Sequence, residues 1–221
     1  MKTFYGDSHR KLQDEFDSRK MADRLDDLIV KNEFDEDAIN FIKSRDMFFL
    51  STIDHNDSPT VSYKGGDPGF VSIVDTKTLL FPSYDGNGMF MSMGNIKQNC
   101  KVGMLFICFE KPHRLRVHGN ASILDIKTES LKKKYPEADL IVQIKLTNYW
   151  QNCPRYIHRY KKMSRSKYVP RKGTKTPMAG WKKTDVVQDA LSEKDKKVIN
   201  KSDIIGIGEW TDKVKSGDPT A

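Results

Sequence analysis

Residues 47–64 read MFFLSTIDHNDSPTVSYK. Two runs of β-branched and aromatic residues flank HNDS, a cluster of turn formers, so the stretch predicts a hairpin. That reading decides the fold class, because the same grammar repeats downstream. GGDPG turns into FVSIVD, and Thr76-Lys77 leads into TLLFPS. KVGMLFICF turns at EKPH into RLRVHGNASILD, and ADLIVQIKLTNYW closes the series. About seven strands between residues 47 and 150, mostly joined by tight turns, predict an antiparallel sheet closed into a barrel rather than alternating βαβ units.

Outside this region the period changes. Residues 8–32 place Leu12, Phe16, Leu25, Leu28 and Ile29 at helical spacing, with Ser8 as N-cap. A second helix over 35–44 turns Ile39, Phe41 and Ile42 toward a core, with Asp35 to Asp37 near its positive end. A short helix is expected from Lys127 to Tyr135, and one or two more in the last 65 residues. The organisation is N-terminal helices over 1–45, a barrel over 46–150 and a basic arm with short helices over 151–221.

A chain of 221 residues with 37% hydrophobic content can bury a substantial core. It has no apolar run long enough to span a membrane. Its start, MKTFYGDSHRKLQDEF, lacks the apolar core of a signal peptide, so a cytoplasmic location is expected. Cys100, Cys108 and Cys153 lack zinc-site spacing, and no metal site is expected. The net charge of +8 is uneven. Residues 1–40 hold eleven acids against seven bases, whereas residues 158–183 hold ten Lys and Arg and no acid. With Pro170 and Pro177, that basic stretch reads as an extended arm wrapping a partner subunit. A plain solvated surface is the second reading, and nucleic acid, on which Tyr160, Tyr168 and Trp181 could stack, is the third.

One segment does not fit a simple connection. Residues 84–99, YDGNGMFMSMGNIKQN, interleave Gly86, Gly88 and Gly94 with Asn87 and Asn95, and carry Met89, Met91 and Met93. They open a short helix over about 89–99, whose free N–H groups would suit an anion. From spacing alone, a crossover helix whose methionines fill the core is the favoured reading.

The order FFLSTIDHNDSPTVSYKGG, LLFPSYDGNGMFMSMGNIKQN, VGMLFICF and RLRVHGNA resembles the pyridoxamine 5'-phosphate oxidase-like family, over about residues 41–125. The resemblance implies a mainly β fold, an antiparallel split β-barrel of the FMN-binding type, and a homodimer holding FMN at the subunit interface. SYK matches the strand beside the flavin ring and ribityl chain, implicating Ser62, Tyr63 and Lys64. FPSY matches the second flavin-lining strand, implicating Pro82 and Ser83. Family phosphate ligands align near Met91 and Ser92, at the segment that also offers Asn87, Gly88 and Asn95. Arg114 stands where a polar side chain meets the pyrimidine edge of the ring. Lys64 or Arg114 near the N1–C2=O edge would stabilise the reduced flavin and raise its potential.

The chain departs from the family twice. Met91 stands where many relatives offer the phosphate an arginine, and it cannot make that residue's charge-assisted bonds. The C-terminal substrate signature of true pyridoxamine phosphate oxidases is not recognisable, so vitamin B6 oxidation is not assigned. The expectation is an FMN-binding oxidoreductase for an unidentified small molecule, with NAD(P)H as a candidate donor and no catalytic residue identified. A non-catalytic flavin carrier or sensor, and a variant binding haem or deazaflavin, are the alternatives. His113 and His118, five apart on one strand, fall on opposite faces and form no pair.

Overall fold

The computed structural model describes residues 4–126, 128–219 and 221, so Lys127, the expected start of the helix reaching Tyr135, lies outside it. The chain divides into two compact units, Met1–Met163 and Ser164–Ala221.

The first unit is built on seven antiparallel strands: β1 (Met47–Ile53), β2 (Pro59–Gly65), β3 (Ser72–Asp75), β4 (Thr78–Tyr84), β5 (Lys101–Cys108), β6 (His113–Leu124) and β7 (Ala138–Asn152). Their order is β2-β1-β5-β6-β7-β4-β3. The opening hairpin forms because Asp54 caps its own turn, accepting from the N–H groups of Asn56 and Ser58, while Asp57 takes a left-handed conformation that aspartate tolerates. Period-2 alternation then sends Phe48, Leu50 and Thr52 inward.

The sheet curls around these residues. Phe48 on β1 and Phe81 on β4 are separated by three strands in the order, yet their rings meet edge-to-face at 5.0 Å. Phe106 and Phe70 complete the cluster around Phe48. No ladder joins β2 to β3. The expected barrel is therefore curved but split, with two edges open. A bulge between His118 and Gly119 bends β6 against β7. Gly119 is required there: a Cβ would lie 2.6 Å from the Lys145 carbonyl oxygen.

Helices flank the sheet. The periodic stretch expected as one helix is two, α1 (Asp7–Glu15) and α2 (Arg19–Ile29). Asp17 takes φ 47° between them, and Arg19 turns back to Asp14 at 2.6 Å. The first cap is Gly6 rather than Ser8. Neither helix buries a residue, and Leu12, Phe16, Leu25 and Leu28 are exposed. Helix α3 (Glu36–Lys43) matches its expectation: the Asp35 side chain accepts from Ala38 N–H, and Ala38 and Ile42 are buried. Helix α4 (Met91–Gln98) lies between β4 and β5 and packs on β1 and β6. Helix α5 (Glu129–Lys134) is capped by Thr128.

The second unit, Ser164–Ala221, holds the short helices α6 (Glu193–Lys196) and α7 (Ile207–Ser216) and three 3-10 turns. Its centre is an ion pair between Lys182 and Asp195 at 3.0 Å, their side chains 6% and 17% exposed. Burial opposes the Asp195 charge, but the Lys182 bond and Ser192 together hold its carboxyl below the usual range. A parallel bridge from Thr184 to Ile205 joins two segments within this unit.

Candidate functional site

Alternation along β2 sorts its residues. Val61 and Tyr63 are exposed, while Thr60, Ser62 and Lys64 share the other face. That face looks onto α4, which brings Ser92 and Asn95, both 8% exposed, to meet it. Ser62 Oγ lies 3.1 Å from Ser92 Oγ, and the Lys64 ammonium donates to Ser92 Oγ at 3.3 Å. One helical turn on, Asn95 Nδ2 donates to Thr52 Oγ1 at 3.0 Å and to Thr60 Oγ1 at 3.2 Å, and the two threonines are 2.8 Å apart. Asn95 thereby anchors α4 to the β1–β2 hairpin and fixes where Ser92 sits.

Lys64 is the charged member of this cluster. No carboxylate pairs with it among the described residues, and burial alone pushes its ammonium below the ordinary lysine value. Beside it, α4 begins at Phe90, which takes a left-handed φ of 50° and gives no side-chain cap. The first-turn N–H groups of a helix have no partner within it. A half-buried cation, two hydroxyls and an uncapped helix start converge on one place. Those donors fit a phosphate monoester, and they offer it no acidic neighbour to repel it.

The other expected residues are distributed differently. Tyr63 points away from Ser62 and Lys64, its ring folded over Gly65 and edge-on to Phe49 at 6.2 Å. Pro82 and Ser83 lie on β4, opposite Ile141 and Leu140 of β7. Asn87 makes a local turn, accepting from Met89 N–H at 3.1 Å, and Gly88 takes φ 77° beside it. Met91 is 47% exposed at the helix start, next to Met89 and Phe90, both also exposed. Of the three methionines only Met93 reaches the core.

Arg114 sits on the opposite face of the sheet from Lys64. Lys64 pairs with buried Phe48, whereas Phe49 pairs with Leu105, Leu105 with Arg116, and Arg114 shares the face of Arg116. The structure therefore brings Ser62, Lys64, Ser92 and Asn95 together and leaves Arg114 apart from them in one chain. The threonines that hold Asn95 were not singled out from the sequence. Their signal was there in part, since Thr60 lies two and four residues before Ser62 and Lys64.

The family model described as pyridoxamine 5'-phosphate oxidase matches residues 34–149, from the entry to α3 through most of β7. The chain belongs to the pyridoxamine 5'-phosphate oxidase family. Membership accounts for the split seven-stranded sheet and for the position of α4 between β4 and β5. Solved structures with a similar fold include HupZ of Group A Streptococcus, at 16% identity over 58% of this chain and 99% of that one, TM-score 0.45. They also include a protein from Clostridium acetobutylicum related to general stress protein 26, at 15% identity over 54% and 90%, TM-score 0.40. The haem storage protein HutZ of Vibrio cholerae is similar at 15% identity over 54% and 95%, TM-score 0.38. No curated protein matches the chain.

Among the described residues, no helix is long and apolar enough to cross a membrane, and no group of three or more His, Cys, Asp or Glu is placed to hold a metal ion.

Proposed function

We propose that the chain binds FMN and serves as a flavin-dependent oxidoreductase for a small molecule in the cytoplasm. The observation that carries the reading is Lys64: a half-buried ammonium with no carboxylate partner, hydrogen-bonded to the hydroxyl at the start of an uncapped helix. In a family of flavin proteins, that cluster is the natural seat of the FMN phosphate. Lys64 would supply the charge that Met91 cannot, with Ser62, Ser92 and the first-turn N–H groups completing the bonds.

The flavin, when bound, supplies the electron-transfer chemistry, and the protein's part is to hold and orient it. Arg114, on the other face of the sheet, would then serve the pyrimidine edge of a flavin held mainly by a second copy, which supports a homodimer. The exposed apolar residues Val61, Tyr63, Met89, Phe90 and Met91 give such a partner something to cover.

Fluorescence titration with FMN and with riboflavin tests the reading, because the two differ only in the phosphate. Tighter binding of FMN supports it. Equal binding of both, or of neither, contradicts it. Anaerobic bleaching of the bound flavin by NADPH or NADH then separates an oxidoreductase from a carrier.

A further inference from the structure

The outer face of β6 carries Arg114, Arg116 and His118 in a row. They alternate with buried Leu115 and Val117, so all three project to one side, about 7 Å apart along the strand. Two guanidiniums at that spacing repel each other, and here neither has a carboxylate partner among the described residues. Arg116 donates from Nη1 to the Asn152 amide oxygen across the β6–β7 ladder. Arg114 Nε is buried and has no acceptor at all. Burial, and after it the charge of Arg114, hold the Arg116 guanidinium below its ordinary value, and burial with the charge of Arg116 does the same to His118. A pair of partly buried, mutually repelling cations with an orphaned donor is costly as it stands. An anion between them removes that cost.

The same face opens beyond His118 into a groove of about 490 Å³. Its lining includes Ser51, Gly103, Asn120 and Thr147, and no carboxylate. Gly103, the ladder partner of His118, puts no side chain into the groove. The volume lies within the range that small-molecule sites occupy, about 300–1,000 Å³.

We propose that this face binds a small organic anion, its carboxylate or phosphate held between Arg114 and Arg116 and its body lying along the groove past His118. Of the residues given to the flavin above, only Arg114 is shared. The Lys64–Ser92 cluster lies on the other face. The anion is a substrate separate from the flavin, whose phosphate the Lys64–Ser92 cluster takes.

The test is an NMR titration of the full chain, labelled with ¹⁵N-arginine, with inorganic phosphate against a chloride control of equal ionic strength. The Arg114 and Arg116 Nε–Hε signals, assigned with Arg114→Lys and Arg116→Lys, are expected to move saturably at millimolar phosphate. Those of exposed Arg155 and Arg165 follow the chloride control. Arg116→Met should weaken the response at Arg114 at least tenfold, with the amide spectrum showing that the fold is kept. Responses at Arg114 and Arg116 that match the exposed arginines overturn the proposal in the wild type alone. Repeating the titration with FMN present tests that separation. A phosphate response that persists assigns the site to a separate substrate, and one that disappears overturns a separate anion site, because the flavin at Arg114 then already fills it. A chain that takes up no FMN but still shows the phosphate response overturns the flavin reading and leaves the anion site standing.

Discussion

Lys64 and Ser92 come from a strand and a helix 28 residues apart, and the 3.3 Å bond between them is the charged contact joining β2 to α4. An ammonium that is half removed from water and meets only hydroxyls is poorly compensated in the free protein. That arrangement makes sense when an anion completes it.

Replacing Lys64 therefore separates binding from folding. Lys64→Met keeps most of the side chain's apolar stem and removes its charge. FMN affinity is expected to fall about 10- to 100-fold, the worth of a charge-assisted hydrogen bond. Riboflavin affinity should hardly change, and thermal stability should hold or rise. Parallel titrations of the variant with both ligands check this.

The pH dependence has a definite sign. Burial depresses the Lys64 pKa below the ordinary 10.5, so the proton needed for anion binding is lost at lower pH than on a free lysine. FMN affinity should fall as pH rises through that depressed value, while riboflavin affinity stays flat. Without ligand the stability effect runs the other way. The contribution is fully present above 10.5 and is lost as pH falls through the folded-state value.

Asn95→Ala removes the donor that ties α4 to both threonines. Thr52 and Thr60 can still bond to each other, so the loss should be moderate, about 1–3 kcal/mol by urea unfolding. Because Ser92 is positioned by the same helix, FMN affinity should weaken as well, which a purely structural role for Asn95 would not require.

Gly119→Ala tests the bulge. The new methyl would meet the Lys145 carbonyl at 2.6 Å and Ile144 Cγ2 at 2.5 Å, and the carbonyl belongs to the β7 backbone. A loss of about 3 kcal/mol or more is expected, as for other strain introduced into a packed core. Gly86→Ala, where nothing lies within 4 Å, is the control and should cost under about 1 kcal/mol.

In the second unit, Lys182→Met leaves the partly buried Asp195 with Ser192 but without its cation and should destabilise that unit by about 1–3 kcal/mol. The Asp195 pKa is depressed in the fold, so the pair's contribution is present above the unfolded carboxylate pKa of about 4 and is lost as pH falls below it. Acid unfolding followed by Trp181 and Trp210 fluorescence should show this limb in the wild type and not in the variant.

How much of this was legible in the sequence depends on the range of the interaction. The β1–β2 hairpin could be read because Asp54 and Asp57 make its turn from neighbouring backbone. Ser62 and Lys64 could be placed on one face by period 2, and the same rule puts Tyr63 on the other. The break between α1 and α2 was hidden, because no glycine or proline marks it and Asp17 alone turns the chain. That Lys64 and Arg114 face opposite ways follows only from the register through β2, β1, β5 and β6, which no local pattern carries. Asn95 was singled out as a ligand candidate, but its bonds to Thr52 and Thr60 join residues 43 and 35 positions apart, beyond the reach of any local pattern.

The most direct test of the central claim is an absorption spectrum of the purified chain, taken after incubation with excess FMN and desalting, with riboflavin in parallel. Flavin bands should be retained with FMN and lost with riboflavin. A colourless protein after FMN, or equal retention of both flavins, would contradict the claim that Lys64, Ser62 and Ser92 form a flavin phosphate seat.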